Sequence, residues 1–180
     1  MTLISQIMQE VNEVMNMVDE NQIDNAEKLI KKDKRIFVLG AGRSGLMAKG
    51  FAMRLMHIGY TVYVIGETIT PSVQSGDVLV SVSGSGKTAS ILELTQKAKA
   101  DGVEIVTLTS KEDSPLGQLG DATIVVPGAT KGGDGVKSIQ LLSTLFDQSV
   151  HITLDTLCLK LSRRDHTSND SAKSAHSNME

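Results

Sequence analysis

The chain has 180 residues, 40% hydrophobic and 22% charged, which fits one soluble globular domain with a sizeable core. A net charge of −3 argues against a general nucleic-acid binder, and a single cysteine excludes an internal disulfide or a multi-cysteine zinc site. No run is long and apolar enough to span a bilayer, and the stretch Met1 to Ile7 lacks the basic start and continuous apolar run of a signal peptide, so the cytosol is the expected compartment.

Leu3, Ile4, Ile7, Met8, Val11, Met15 and Val18 recur at helical spacing and predict an amphipathic first helix. Its wide apolar stripe serves core packing or a subunit interface. A second helix is predicted from Ile23 to Lys32, so residues 1–34 form an N-terminal helical portion. The first strand is Ile36–Leu39, followed by a helix from Ser44 to Ile58 that Gly59 closes. Thr61–Ile65 is the second strand and Asp77–Val82 the third. A helix follows from Thr88 to Ala100, then a strand at Glu104–Leu108, a short helix opened by Ser114 and Pro115, and a fifth strand at Ala122–Val126. Residues 128–135 read as a flexible glycine loop. Val136 to about Leu161 reads as one long helix that closes the α/β core of residues 35–161 and contains Cys158 as a buried structural thiol. The tail, residues 162–180, is polar, and its composition is that of a disordered segment.

Near-continuous apolar strands separated by helices predict a parallel sheet covered on both faces, a three-layer α/β/α sandwich. In such folds ligands bind at the carboxyl ends of the strands, near the switch in strand order. Two glycine-serine loops lie at such ends: Gly40-Ala41-Gly42-Arg43-Ser44-Gly45 after the first strand, and Ser83-Gly84-Ser85-Gly86-Lys87-Thr88 after the third. A strand, a glycine turn and a helix start expose backbone N–H groups that favour an anion, so the two loops point to one phosphate-holding pocket. With two tyrosines, three phenylalanines and no tryptophan, a small ligand would be held by hydrogen bonds more than by stacking.

Both loops come close to nucleotide motifs. The first satisfies G-x-G-x-x-G after a strand, with Glu67 about twenty residues beyond, which is the dinucleotide fingerprint. A dinucleotide fold does not require the second loop, and the chain is short of strands for a complete one. The second loop ends Gly86-Lys87-Thr88, but a nucleotide P-loop needs glycine at position 81, which is serine, and Asp77 stands at the opposite edge of the sheet, which argues against nucleotide hydrolysis.

The segments Gly40–Lys49, Phe51–Gly59, Val64–Pro71 and Ser83–Thr88, extended by Leu145-Phe146-Asp147 and the terminal run His176 to Glu180, make the chain similar to the sugar isomerase (SIS) domain family, and within it to the 6-phospho-3-hexuloisomerases. The resemblance covers nearly the whole chain. It implies a five-stranded parallel sheet, homo-oligomers with shared active sites, and neither cofactor nor metal. The implied activity interconverts 3-hexulose 6-phosphate and fructose 6-phosphate in the ribulose monophosphate route of formaldehyde fixation, and some SIS domains are instead noncatalytic sugar-phosphate sensors. Substrate binding in the family maps onto Ser44 and the run Ser83, Gly84, Ser85, Gly86, Lys87 and Thr88, and its general-base glutamate onto Asp147. The aspartate is a departure, as is Lys87 where the family has glutamate.

Such an isomerisation needs a base, a group that manages hydroxyl protons and a clamp on the substrate. Ser44, Ser83, Ser85, Thr88 and backbone N–H groups form the expected clamp. Arg43 either pairs with phosphate or makes a surface ion pair. Lys87 either adds charge beside the anion or is a solvated side chain at a helix start, where a cation is unfavourable without an anion. Asp147 is the expected base by the resemblance, whereas pattern alone makes it a solvent-facing helix residue. Glu67 is a second carboxylate, for base, hydroxyl binding or loop orientation. His176 is incidental by composition, and the resemblance implies that it docks, in this chain or a neighbouring subunit, to move protons. His57, beside Gly59, suits a helix C-terminus.

Overall fold

The computed structural model describes residues 1–131 and 136–179. Part of the glycine loop expected at 128–135, and Glu180 of the terminal run, lie outside the described residues. Among the described residues six α-helices and five strands follow in the order α1 (Leu3–Met15), α2 (Glu20–Leu29), β1 (Arg35–Gly40), α3 (Gly42–His57), β2 (Thr61–Val64), β3 (Val78–Val82), α4 (Ala89–Ala100), β4 (Glu104–Thr109), β5 (Ala122–Val125), α5 (Thr144–Arg164) and α6 (Asn169–Ser174). The strands form one parallel sheet in the order β2-β1-β3-β4-β5.

Alternation along the strands divides the core in two. Ile36, Val38, Val78, Val80 and Val106 face α1, α2, α3 and α5 through residues such as Val14, Ile23, Leu55 and Leu154. Phe37, Leu39, Leu79 and Ile105 face the other layer, built by α4 through Ile91 and Ala98 and by Leu116 beside a single 3-10 turn, Gly117–Leu119. Both faces are thus covered, and the α/β/α sandwich expected from the sequence is present. Cys158 is buried in α5, and that burial, with Asp155 adding to it, pushes its thiol up to about 12. Among the described residues no helix is long and apolar enough to cross a membrane.

Two expectations are corrected. The helix expected from Val136 begins only at Thr144. The preceding segment is held by Glu10 of α1, which accepts from Ser138 Oγ (2.6 Å), Ile139 N (2.7 Å) and Gln140 Nε2 (3.3 Å). Leu142 then takes a left-handed φ of 55°, which a helix cannot contain. The tail is not irregular throughout: α5 runs on to Arg164, and α6 is capped by Ser168, whose hydroxyl accepts from Ser171 N at 3.1 Å.

Candidate active site

The strand order reverses between β1 and β3, and the two glycine-serine loops leave the carboxyl ends of those neighbouring strands. Close backbone approach shapes the first loop. A Cβ on Gly45 would lie 2.7 Å from Gly40 O, and one on Gly40 would lie 2.9 Å from Gly45 Cα, so the end of β1 and the start of α3 meet only as glycines. In the second loop Gly84 lies against the Phe146 ring, and Gly86 adopts φ +63° with Ser114 where a Cβ would point.

Between the loops lies a cavity of about 160 Å³, walled by Ala41, Gly42, Arg43, Ser44, Val82, Ser83, Gly84, Ser85, Thr88, Thr130, Lys131 and Ser143. Larger depressions of about 750 and 1010 Å³ are open grooves beside Arg54 and His166 and beside Lys28 and Arg164, toward the other ends of α3 and α5 and away from both loops.

The N-cap residues of three helices meet in the cavity wall: Ala41 of α3, Thr88 of α4 and Ser143 of α5. None gives a side-chain bond to its helix's backbone. The caps of the other three helices do so: Thr2 accepts from Ser5 N, Asp19 from Asn21 N and Ser168 from Ser171 N. The first turns of α3 and α4 also carry no acidic residue. Three positive helix ends, uncapped by side chains, therefore converge on one small space.

The expected site residues fall into two groups. Arg43, Ser44, Ser83, Gly84, Ser85 and Thr88 line the cavity together. Ser83 Oγ and Thr88 Oγ1 share a hydrogen bond at 2.9 Å, and Arg43 Nη1 donates to Thr144 Oγ1 at 2.9 Å, tying α3 to the start of α5. Gly86 and Lys87 are not in the wall: Gly86 is buried toward Ser114, and the exposed Lys87 donates its backbone N–H to Ser85 Oγ at 3.2 Å.

Asp147 is fully buried, not solvent-facing as pattern alone reads it. Its Oδ1 accepts from Ser44 Oγ at 2.6 Å and its Oδ2 from Ser143 Oγ at 3.0 Å, so it sits one hydroxyl behind the cavity wall. Glu67 is exposed beyond β2, 3.7 Å from Lys49 Nζ and outside the wall. His176 is exposed and stacks on the buried His57, with ring centroids 5.1 Å apart at 13°. His57 ends α3, thirteen residues beyond Ser44 and hence about 20 Å along the helix from the cavity. The chain does not bring His176 to its own cavity.

Thr130, Lys131 and Ser143 also line the cavity and were not singled out in the sequence. Ser143 lies four residues before Asp147 on what becomes one helix start, a spacing that marks it once Asp147 is of interest. Nothing in the local sequence signals Thr130.

The SIS domain family profile matches residues 28–152. A 3-hexulose-6-phosphate isomerase of Mycobacterium gastri is 37% identical, covering 98% of this chain and 89% of its own. One of Bacillus subtilis is 34% identical, with 98% and 97% covered. A crystal structure from Methanococcus jannaschii, from which a 3-hexulose-6-phosphate isomerase function has been inferred, matches with a TM-score of 0.84 at 30% identity over 98% of each chain. With two glycine-serine loops at the switch point of a five-stranded parallel sheet and relatives above 30% identity along nearly its whole length, this chain belongs to the SIS domain family.

Proposed function

We propose that the protein is a sugar-phosphate isomerase that interconverts 3-hexulose 6-phosphate and fructose 6-phosphate. The observation that carries this reading is the meeting of three helix N-termini, uncapped by side chains, in one cavity with Ser83, Ser85 and Thr88. A phosphate dianion on the loop after β3 takes the place of the missing cap of α4: N–H groups and hydroxyls there donate to it, and the helix dipoles favour its charge. Arg43 in the same wall adds a charge-assisted donor. The relatives named as 3-hexulose-6-phosphate isomerases support the choice of sugar.

Asp147 is the proton acceptor in this reading. Ser44 has one hydroxyl proton, now given to Asp147 Oδ1. When an oxygen of the sugar draws that proton to itself, Oδ1 is freed to accept the carbon-bound proton beside the carbonyl. Removal of that proton gives an enediol, and its return to the neighbouring carbon moves the ketone. Glu67, held by Lys49, orients the loop after β2.

His176, remote from its own cavity, serves that of a second copy in a homo-oligomer. A single chain's cavity of about 160 Å³ is below the roughly 300 Å³ at which small-molecule pockets begin. Leu46, Leu141 and Leu142, 61%, 81% and 69% exposed, lie within two residues of Ser44 or Ser143 of its wall, as an oligomer contact that completes the pocket would require.

The full burial of Asp147 favours one other reading, a sugar-phosphate sensor that binds without turnover. Proton–deuterium exchange at carbon three of fructose 6-phosphate in deuterated water separates the two: the isomerase exchanges that proton, and a sensor binds the sugar phosphate with no exchange.

A further inference from the structure

We infer that Ser143 is a substrate-binding residue that reads a sugar hydroxyl, and that Asp147 sets its polarity. The inference rests on the reading of the cavity as a sugar-phosphate site and concerns which end of the ligand lies where. A serine hydroxyl has one proton to give and two lone pairs to receive with. The Ser143 proton is given to Asp147 Oδ2 at 3.0 Å, and an ionised carboxylate can only accept, so the direction of this bond is fixed. At a helix N-cap the lone pairs of a serine ordinarily go to a backbone N–H of the first turn, but Ser143 makes no such bond, and no described residue donates to its Oγ. Half-buried in the cavity wall, Ser143 thus offers the cavity an acceptor only.

The Ser83 and Thr88 pair has the opposite bias. Their mutual bond at 2.9 Å uses one of two hydroxyl protons, so one remains to donate. The cavity therefore has a donor side, at the loop after β3, and an acceptor site at the start of α5. A phosphate, which only accepts at full charge, fits the first and is repelled by the second. A hydroxyl of the sugar, which can donate, fits Ser143. This polarity orients the ligand with its ester on the glycine-serine loop and its hydroxyl-bearing carbons toward the face where Asp147 lies behind Ser44 and Ser143.

The experiment compares equilibrium binding of fructose 6-phosphate and of methyl phosphate, which carries the charge without sugar hydroxyls, in the wild type, Ser143→Ala and Ser83→Ala. Loss of one neutral hydrogen bond should weaken fructose 6-phosphate about five- to tenfold in Ser143→Ala and leave methyl phosphate unchanged. Ser83→Ala should weaken both ligands together. Equal loss of both ligands in Ser143→Ala, or loss of neither, overturns the assignment. Melting temperatures and the methyl phosphate arm report whether Ser143→Ala is folded, and Ser143→Thr, which keeps the hydroxyl, should restore sugar binding. Because the readout is binding, a wild type that binds fructose 6-phosphate without proton exchange ends the isomerase reading and leaves the Ser143 assignment standing. A wild type that binds neither ligand ends both.

Discussion

Ser44 and Asp147 lie 103 positions apart in the chain, and a 2.6 Å hydrogen bond between them joins the first turns of α3 and α5 beneath the cavity. The contact ties the fully buried carboxylate to a residue of the cavity wall. Asp147→Asn keeps the shape and one acceptor but removes the proposed base. It should lower the rate of carbon-three exchange in fructose 6-phosphate by at least about 100-fold, the low end of what a general base contributes, with affinity changed by less than about tenfold. Exchange at the wild-type rate in this variant would remove Asp147 from the chemistry and pass the base to another group.

The clamp gives a different signature. Ser83 and Ser85 stand in the wall between two helix ends and are proposed to meet a charged ligand. A hydrogen bond to a charged group contributes about 1.5–3 kcal/mol, so Ser83→Ala and Ser85→Ala should each weaken inorganic phosphate roughly tenfold or more. Calorimetric titration of both variants checks this. Unchanged phosphate affinity in both would place the anion elsewhere.

Local pattern disclosed the frame and its turns. The five apolar strands, and the glycine-serine loops after the first and third, were readable because period, glycine and short apolar runs are local signals. The segment before Thr144 was not. Its residues, Val136 to Ser143, carry no helix breaker, and what keeps them from a helix is a carboxylate from residue 10, more than 120 positions away. Pattern misreads Asp147 for the same reason, since its two partners come from α3 and from the residue just before α5. The tail shows the converse. Composition marked it disordered, yet Ser168 caps a short helix whose Ala172 packs on the core, a signal present in the sequence as a serine before Asn169 and Asp170.

The glycines of α3 make a paired prediction. A methyl on Gly45 would meet the backbone of Gly40 at 2.7 Å, with no flexible side chain to yield, so Gly45→Ala must push α3 away from β1. Overpacking of this kind costs about 1–3 kcal/mol and would also displace the loop from the proposed anion site. Gly50, in the middle of the same helix, has nothing within 4 Å of its missing Cβ, so Gly50→Ala should instead stabilise by about 0.5–1 kcal/mol. Thermal melts should move in opposite directions, with phosphate affinity falling only in Gly45→Ala. A common direction for both melts would contradict the close approach of β1 and α3.

Glu10 supplies a pH dependence with a definite sign. Burial alone would raise its carboxyl, but the bonds from Ser138, the Ile139 N–H and Gln140 outweigh it and hold the group below the usual 4.5. A carboxylate lowered on folding stabilises fully above its unfolded value, and the contribution disappears as the pH falls through the lower folded value. The wild type should therefore lose stability as the pH drops below about 4.5, and with it the anchoring of the segment that leads to Ser143. Glu10→Gln cannot ionise, so it should be less stable than the wild type at neutral pH, with the gap narrowing in acid. Denaturant melts across that range measure the gap, and amide exchange at Ile139 and Gln140 should speed up at neutral pH in the variant. A gap that stays constant from neutral pH into acid would show that the Glu10 charge does not hold this segment.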